Sequence, residues 1–158
     1  MGGITGASQA MLSNTSFVQA RASGRYLFTI KNNTRVILAN SLGYTDINTL
    51  FRLPLSLQLF AVGAQNLRGY GYNTIGPGRE LFVGSVEIQQ RLFGNFYLAG
   101  FFDFGNVTNN IFRQKLNLGV GPGLAWLSPI GMFEITIANA ISQSNRPWVI
   151  QFAMGPAI

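Results

Sequence analysis

The feature that most constrains this chain is an alternation of period two, repeated in segment after segment of a chain poor in charge. In residues 17–30, Val18, Ala20, Ala22, Gly24, Tyr26, Phe28 and Ile30 fall on one face of an extended segment. Gln19, Arg21, Ser23, Arg25 and Thr29 fall on the other. Successive side chains of a strand point to opposite sides, so this pattern is a strand with one apolar and one polar, partly cationic, face. Lys31-Asn32-Asn33 turns it into a second strand, about 34–45, with Val36, Leu38 and Leu42 on one side. A third, about 80–92, sets Phe82, Gly84, Val86 and Ile88 against Ser85, Glu87, Gln89 and Arg91. Gly94-Asn95 leads into 96–105, where Phe96, Leu98, Phe102 and Phe104 oppose Tyr97 and Asp103.

The fifth strand, about 115–128, carries Leu116, Leu118, Val120, Leu124 and Trp126 on one face and almost no side chain on the other, which is Gly119, Gly121, Gly123 and Ala125. The turn Ser128-Pro129-Ile130-Gly131 leads to a sixth at 132–141, with Phe133, Ile135 and Ile137 against Glu134, Thr136 and Ala138. The seventh, 148–158, sets Ile150, Phe152 and Met154 against Gln151. Residues 2–12 offer a weak part of an eighth.

Composition narrows what such strands can build. Of 158 residues, 10% are charged and 47% hydrophobic, against about 25% charged in an ordinary soluble domain. No run approaches the ~18 apolar residues of a spanning helix, and no signal peptide is visible at the N-terminus. The absence of cysteine and histidine excludes thiol redox chemistry, disulfide scaffolds and a Ser-His-Asp triad. The net charge of +6 comes from scattered basic residues without a basic stripe, which argues against nucleic-acid binding. Two architectures remain, a soluble β-sandwich or a transmembrane β-barrel.

Connection lengths decide between them. Short turns at 31–33, 94–95 and 128–131 alternate with longer connections at 46–79, 106–114 and 142–147. That asymmetry belongs to outer-membrane barrels, and charges at mid-strand suit a wet lumen better than a packed core. The expected class is all-β, an antiparallel transmembrane barrel. Seven strands alone would leave two unpaired edges in lipid, so the chain reads as part of a larger barrel.

The segment 46–79 is too long for a passive connector. Arg68 is the only charge between Arg52 and Arg79, and an isolated arginine beside a barrel mouth seeks carboxylates in the lumen, where Glu87 and Asp103 stand on polar strand faces. Leu67-Arg68-Gly69-Tyr70 resembles the Arg-Gly-aromatic motif in the inward-folded loop of the outer-membrane insertase and translocase superfamily. Gly84-Ser85-Val86-Glu87 and Phe101-Phe102-Asp103-Phe104-Gly105-Asn106-Val107 look like its next two strands, and Trp126-Leu127-Ser128-Pro129-Ile130-Gly131 like its Trp-x-Ser-Pro-x-Gly turn. Four motifs stand in the family's order, over roughly residues 15–158. The Gly155-Pro156-Ala157-Ile158 ending and the short loop resemble TamA first and BamA next. Val62-Gly63 and Asn66 depart from the family's loop pattern, and Ile158 stands where the bacterial signal usually ends in an aromatic.

The resemblance implies the C-terminal part, about seven strands, of a barrel of about sixteen, preceded by POTRA domains outside residues 1–158. It implies residence in the bacterial outer membrane, unfolded outer-membrane protein clients, a TamB-like periplasm-spanning partner, and no cofactor, metal or enzymatic step. The Arg68–Glu87–Asp103 set becomes a lumen lock. The last strand, with Phe152, Gly155, Pro156 and Ile158, becomes a weak seam, since Gly155 permits a kink and Pro156 has no amide for a ladder. A BamA-type assembly barrel, a two-partner secretion transporter, and a passive porin or structural surface antigen are the alternatives. Gly119-Val120-Gly121-Pro122-Gly123 is read as a loop-accommodating barrel wall rather than a phosphate cradle.

Overall fold

A computed structural model describes residues 2–7, 17–31, 33–47, 54, 57–61, 67–71, 74–109 and 115–155. The strands are β1 (Gly2–Ala7), β2 (Phe17–Ile30), β3 (Thr34–Ile47), β4 (Glu80–Phe93), β5 (Phe96–Thr108), β6 (Asn117–Ser128), β7 (Gly131–Ala140) and β8 (Trp148–Gly155). They form one antiparallel sheet in sequence order, each strand paired with the next. No described helix is long and apolar enough to cross a membrane.

The seven strands marked by alternation are β2 to β8, and the weak eighth segment within 2–12 supplies β1. Gly2–Ala7 pairs with Ala22–Phe17, and small residues and glycine at this edge hide the alternation that marks the other strands. Some boundaries move. β3 continues to Ile47 because Thr45 and Ile47 are buried on the inner face while Asp46 points outward; an aspartate that reads as the start of a loop is an outward position of the ladder. β5 runs on to Thr108, and β6 begins at Asn117, so Leu116 precedes it. The last strand is described only to Gly155, and Pro156, Ala157 and Ile158 lie outside the described residues.

The two faces separate as the alternation requires. Val18, Tyr26, Phe28, Ile88, Leu98, Ile135, Ile150 and Phe152 are exposed on the outer face, whereas Gln19, Thr45, Glu87, Gln89, Asp103, Glu134 and Thr136 are buried on the inner one. Apolar outside and polar inside is the inverse of a soluble domain and the signature of a barrel wall in lipid. Near the short turns, outer-face rings form a continuous row across five strands or their ends: Phe93–Phe96, Phe96–Trp126, Trp126–Phe133 and Phe133–Phe152, with centroids 5.1 to 6.2 Å apart. A second group, Phe82, Phe102 and Phe104, lies toward the long-loop end.

Pro122 also finds its place. It faces outward and pairs with Gly100 of β5, while the register between β6 and β7 passes from Val120↔Asn139 to Gly123↔Thr136 without pairing Gly121 or Pro122. A residue with no N–H is tolerated where the ladder is already interrupted.

Candidate functional site: a loop seated against the inner wall

The connection after β3 doubles back along the inner wall. Leu59 bridges Gly78, and the Ala61 amide donates to the Ile75 carbonyl at 3.1 Å. Its apolar side chains Leu59, Ala61, Leu67, Tyr70 and Ile75 form a buried cluster with Val83 of β4, Val107 of β5 and Ala140 of β7. The segment is therefore held by burial, and its polar tip is presented to the strands.

Arg68, 6% exposed, is the centre of that tip. Its backbone amide and Nε both donate to Asp103 Oδ2, at 2.9 and 2.8 Å, and Nη2 donates to Asp103 Oδ1 at 2.9 Å. Nη1 donates to Glu87 Oε2 at 2.5 Å and to Glu134 Oε1 at 3.2 Å. Nη2 also reaches Ser85 Oγ at 3.1 Å, and that hydroxyl donates to Asp103 Oδ1 at 2.6 Å. The guanidinium carbon lies 3.6 Å from the centre of the Phe101 ring. A planar, permanently charged fork with five donors is the side chain suited to this geometry, since it satisfies two walls at once and stacks on a third group.

Two glycines make the approach possible. Gly69 has φ +93°, and a Cβ there would lie 3.0 Å from Asn139 C and Ala140 N of β7. At Gly119 of β6, the space for a Cβ is taken by the carbonyl oxygen of Arg68. Of the side-chain-free stripe of β6, Gly119 is the part on which the loop backbone rests, while Gly121 and Gly123 lie against β7 and β5. Tyr70 fixes the far side: its hydroxyl donates to the Leu118 carbonyl and accepts from the Leu118 amide, both at 3.1 Å, and lies 2.5 Å from Ser142 Oγ. Tyr70→Phe is expected to cost about 1 kcal/mol while Arg68 stays seated; denaturant midpoints together with protease cleavage of the loop measure both.

Residue type, parity and order along the sequence thus bring Arg68, Glu87 and Asp103 together. Glu134 and Phe101 join them from positions that the sequence does not single out. Both carry a signal, because Phe101 shares the parity of Tyr97 and Asp103, and Glu134 stands on the polar side of its strand. Phe152 is 62% exposed on the outer face, away from the loop. Gly155 remains in register opposite Met132, so the ladder continues to the last described residue of β8.

The Omp85 superfamily domain matches residues 3–157. This chain belongs to the Omp85 superfamily. It is also similar in fold to the crystal structure of BamA from Haemophilus ducreyi lacking POTRA domains 1–3, with a TM-score of 0.64 and 19% sequence identity over 87% of this chain and 34% of that one. The chain thus spans about a third of the length of that structure, and its open eight-stranded sheet is part of an Omp85 barrel. The outer membrane of bacteria is accordingly its location. The TamA-like features of the sequence find no counterpart among these similarities, which reach the superfamily and the BamA barrel fold.

Proposed function

We propose that the chain is the C-terminal wall of an outer-membrane barrel of about sixteen strands that inserts or exports outer-membrane proteins, with POTRA domains on the remainder of the protein. The observation that carries this reading is the loop seated in the lumen by Arg68. A segment buried against four inner-face side chains of β4, β5 and β7 takes up the volume that a diffusion pore needs. A passive porin or surface antigen is disfavoured on that ground, and full-length protein in planar bilayers is expected to conduct weakly and intermittently rather than through a large steady pore.

The work is done without covalent chemistry, by strand exchange at the seam. β8 has eight residues against fourteen in β2, β3 and β4, and its partner among the described residues is β7 alone. An edge strand offers unpaired N–H and C=O groups that recruit an incoming strand by β-augmentation. The clients in this reading are unfolded outer-membrane proteins. A narrower form is a TamA-like translocation and assembly module acting on autotransporter-like clients with a TamB-like partner. Its support is the Gly155-Pro156-Ala157-Ile158 ending and the brief return from the motif, Gly71 to Arg79, before β4 begins at Glu80.

The test places a cysteine at Phe152 of the full-length protein and traps a stalled client strand carrying cysteines along its length. A disulfide adduct with the client is the expected result. An adduct from inner-wall positions combined with none from position 152 would remove β8 as the template.

A further inference from the structure

The seated motif holds the strands around it with graded strength. Asp103 of β5 takes three hydrogen bonds at 2.8 to 2.9 Å, and Glu87 of β4 takes one at 2.5 Å. Glu134 of β7 lies farther, at 3.2 Å. The last contact reaches β8, where the Gly69 amide donates to Gln151 Oε1 at 3.4 Å. Ordinary N–H···O bonds run from about 2.7 to 3.2 Å, so the grip is firm on one side of the loop and stretched on the other.

That final bond has no substitute on its strand. The inner face of β8 reads Val149, Gln151, Ala153 and Gly155, and Gln151 is its single side chain able to accept a hydrogen bond. Gly69 lies against the β7 backbone at Asn139 and Ala140. Its amide therefore reaches past β7 to a strand with which the described loop residues have no comparable bond. Gln151 is opposite Thr136 in the ladder, close to the middle of the eight residues of β8, where a tether to the loop adds to the β7 ladder that holds the strand.

We infer that Gln151 is a latch, a positioning residue through which the seated Arg68-Gly69 tip ties the inner face of β8 to the loop and lets it go before the loop itself is disturbed. Release of one stretched bond frees the inner face of β8, while Arg68 keeps its bonds to β4 and β5. The inference rests on the reading of β8 as the strand that opens, and it adds the group that controls opening.

The experiment compares Gln151→Met and Gln151→Leu with the parent, as full-length protein in lipid vesicles, by amide hydrogen exchange and by the rate of insertion of a purified outer-membrane protein client. Methionine keeps the length of the side chain and loses the acceptor, at a position that is only half-buried. Exchange of β8 amides is expected to rise roughly twofold, with the 67–71 tip and β4–β5 unchanged and insertion altered in rate. Unchanged β8 exchange in both variants would overturn the latch, as would an even rise across the loop and all strands. Faster β8 exchange with an unaltered insertion rate would keep the latch and overturn the insertion reading instead.

Discussion

Replacing Arg68 with alanine in the full-length protein is expected to destabilise the barrel by about 3–5 kcal/mol, read as a fall in the denaturant midpoint in vesicles. Among the described residues, the guanidinium is the only cation within hydrogen-bonding distance of Glu87, Asp103 and Glu134. Its loss leaves three buried carboxylates facing one another, so their mutual repulsion adds to the lost hydrogen bonds. Arg68→Glu places a fourth acid there and is expected to abolish assembly, seen as loss of folded, heat-modifiable barrel. Arg68→Lys keeps the charge but not the fork, because an ammonium cannot pair both oxygens of Asp103 while reaching Glu87; it should fall between parent and alanine. A midpoint for Arg68→Ala equal to that of the parent would show that the cluster is incidental to the fold.

Gly119→Val is the second large effect, although residue 119, the cross-strand partner of Asp103, bears no charge and no side chain. The new Cβ would occupy the position of the Arg68 carbonyl oxygen, and neither backbone can give way without breaking the β6 ladder or moving the loop. Overpacking of this kind costs about 1–3 kcal/mol, and displacement of the tip adds the loss of the arginine's bonds. The described loop residues 57–61, 67–71 and 74–79 are then expected to become rapidly protease-sensitive. Because both substitutions unseat the same tip, Gly119→Val combined with Arg68→Ala should cost well under the sum of the two. Gly100→Ala is the control: residue 100 points outward with nothing close to where the added methyl would stand, and the midpoint should be unchanged. Full additivity of Gly119→Val with Arg68→Ala would separate the glycine from the seating of the loop.

Much of this architecture is legible in the chain because lipid and lumen impose opposite demands on alternate residues. The same parity that marks Val86 and Phe102 as outward marks Glu87 and Asp103 as inward, and Ser85↔Asp103 is a direct cross-strand pair. Adjacent strands can be read this way. Glu134 cannot, since its approach to Arg68 depends on how far the sheet curls between β4 and β7, a quantity no local pattern encodes. Phe101 is obscured by the run Phe101-Phe102, in which two identical rings serve opposite faces. β1 is obscured for a different reason, as glycine and alanine carry no contrast between faces. The Gly119, Gly121 and Gly123 stripe is readable as an accommodating wall, but only the fold shows that Gly119 alone accommodates the Arg68 backbone, while Gly121 and Gly123 make room for neighbouring strands.

The two groups of outer-face rings also set a length. From Phe96 to Phe104 along β5 is eight residue steps, or about 26 Å at ~3.3 Å each. A strand tilted by about 40° spans roughly 20 Å of that along the membrane normal, a few ångströms less than the ~25 Å apolar band of an ordinary barrel. On β2 the outward apolar residues run farther, from Val18 to Ile30, so the wall presents lipid with an apolar face whose height differs from strand to strand.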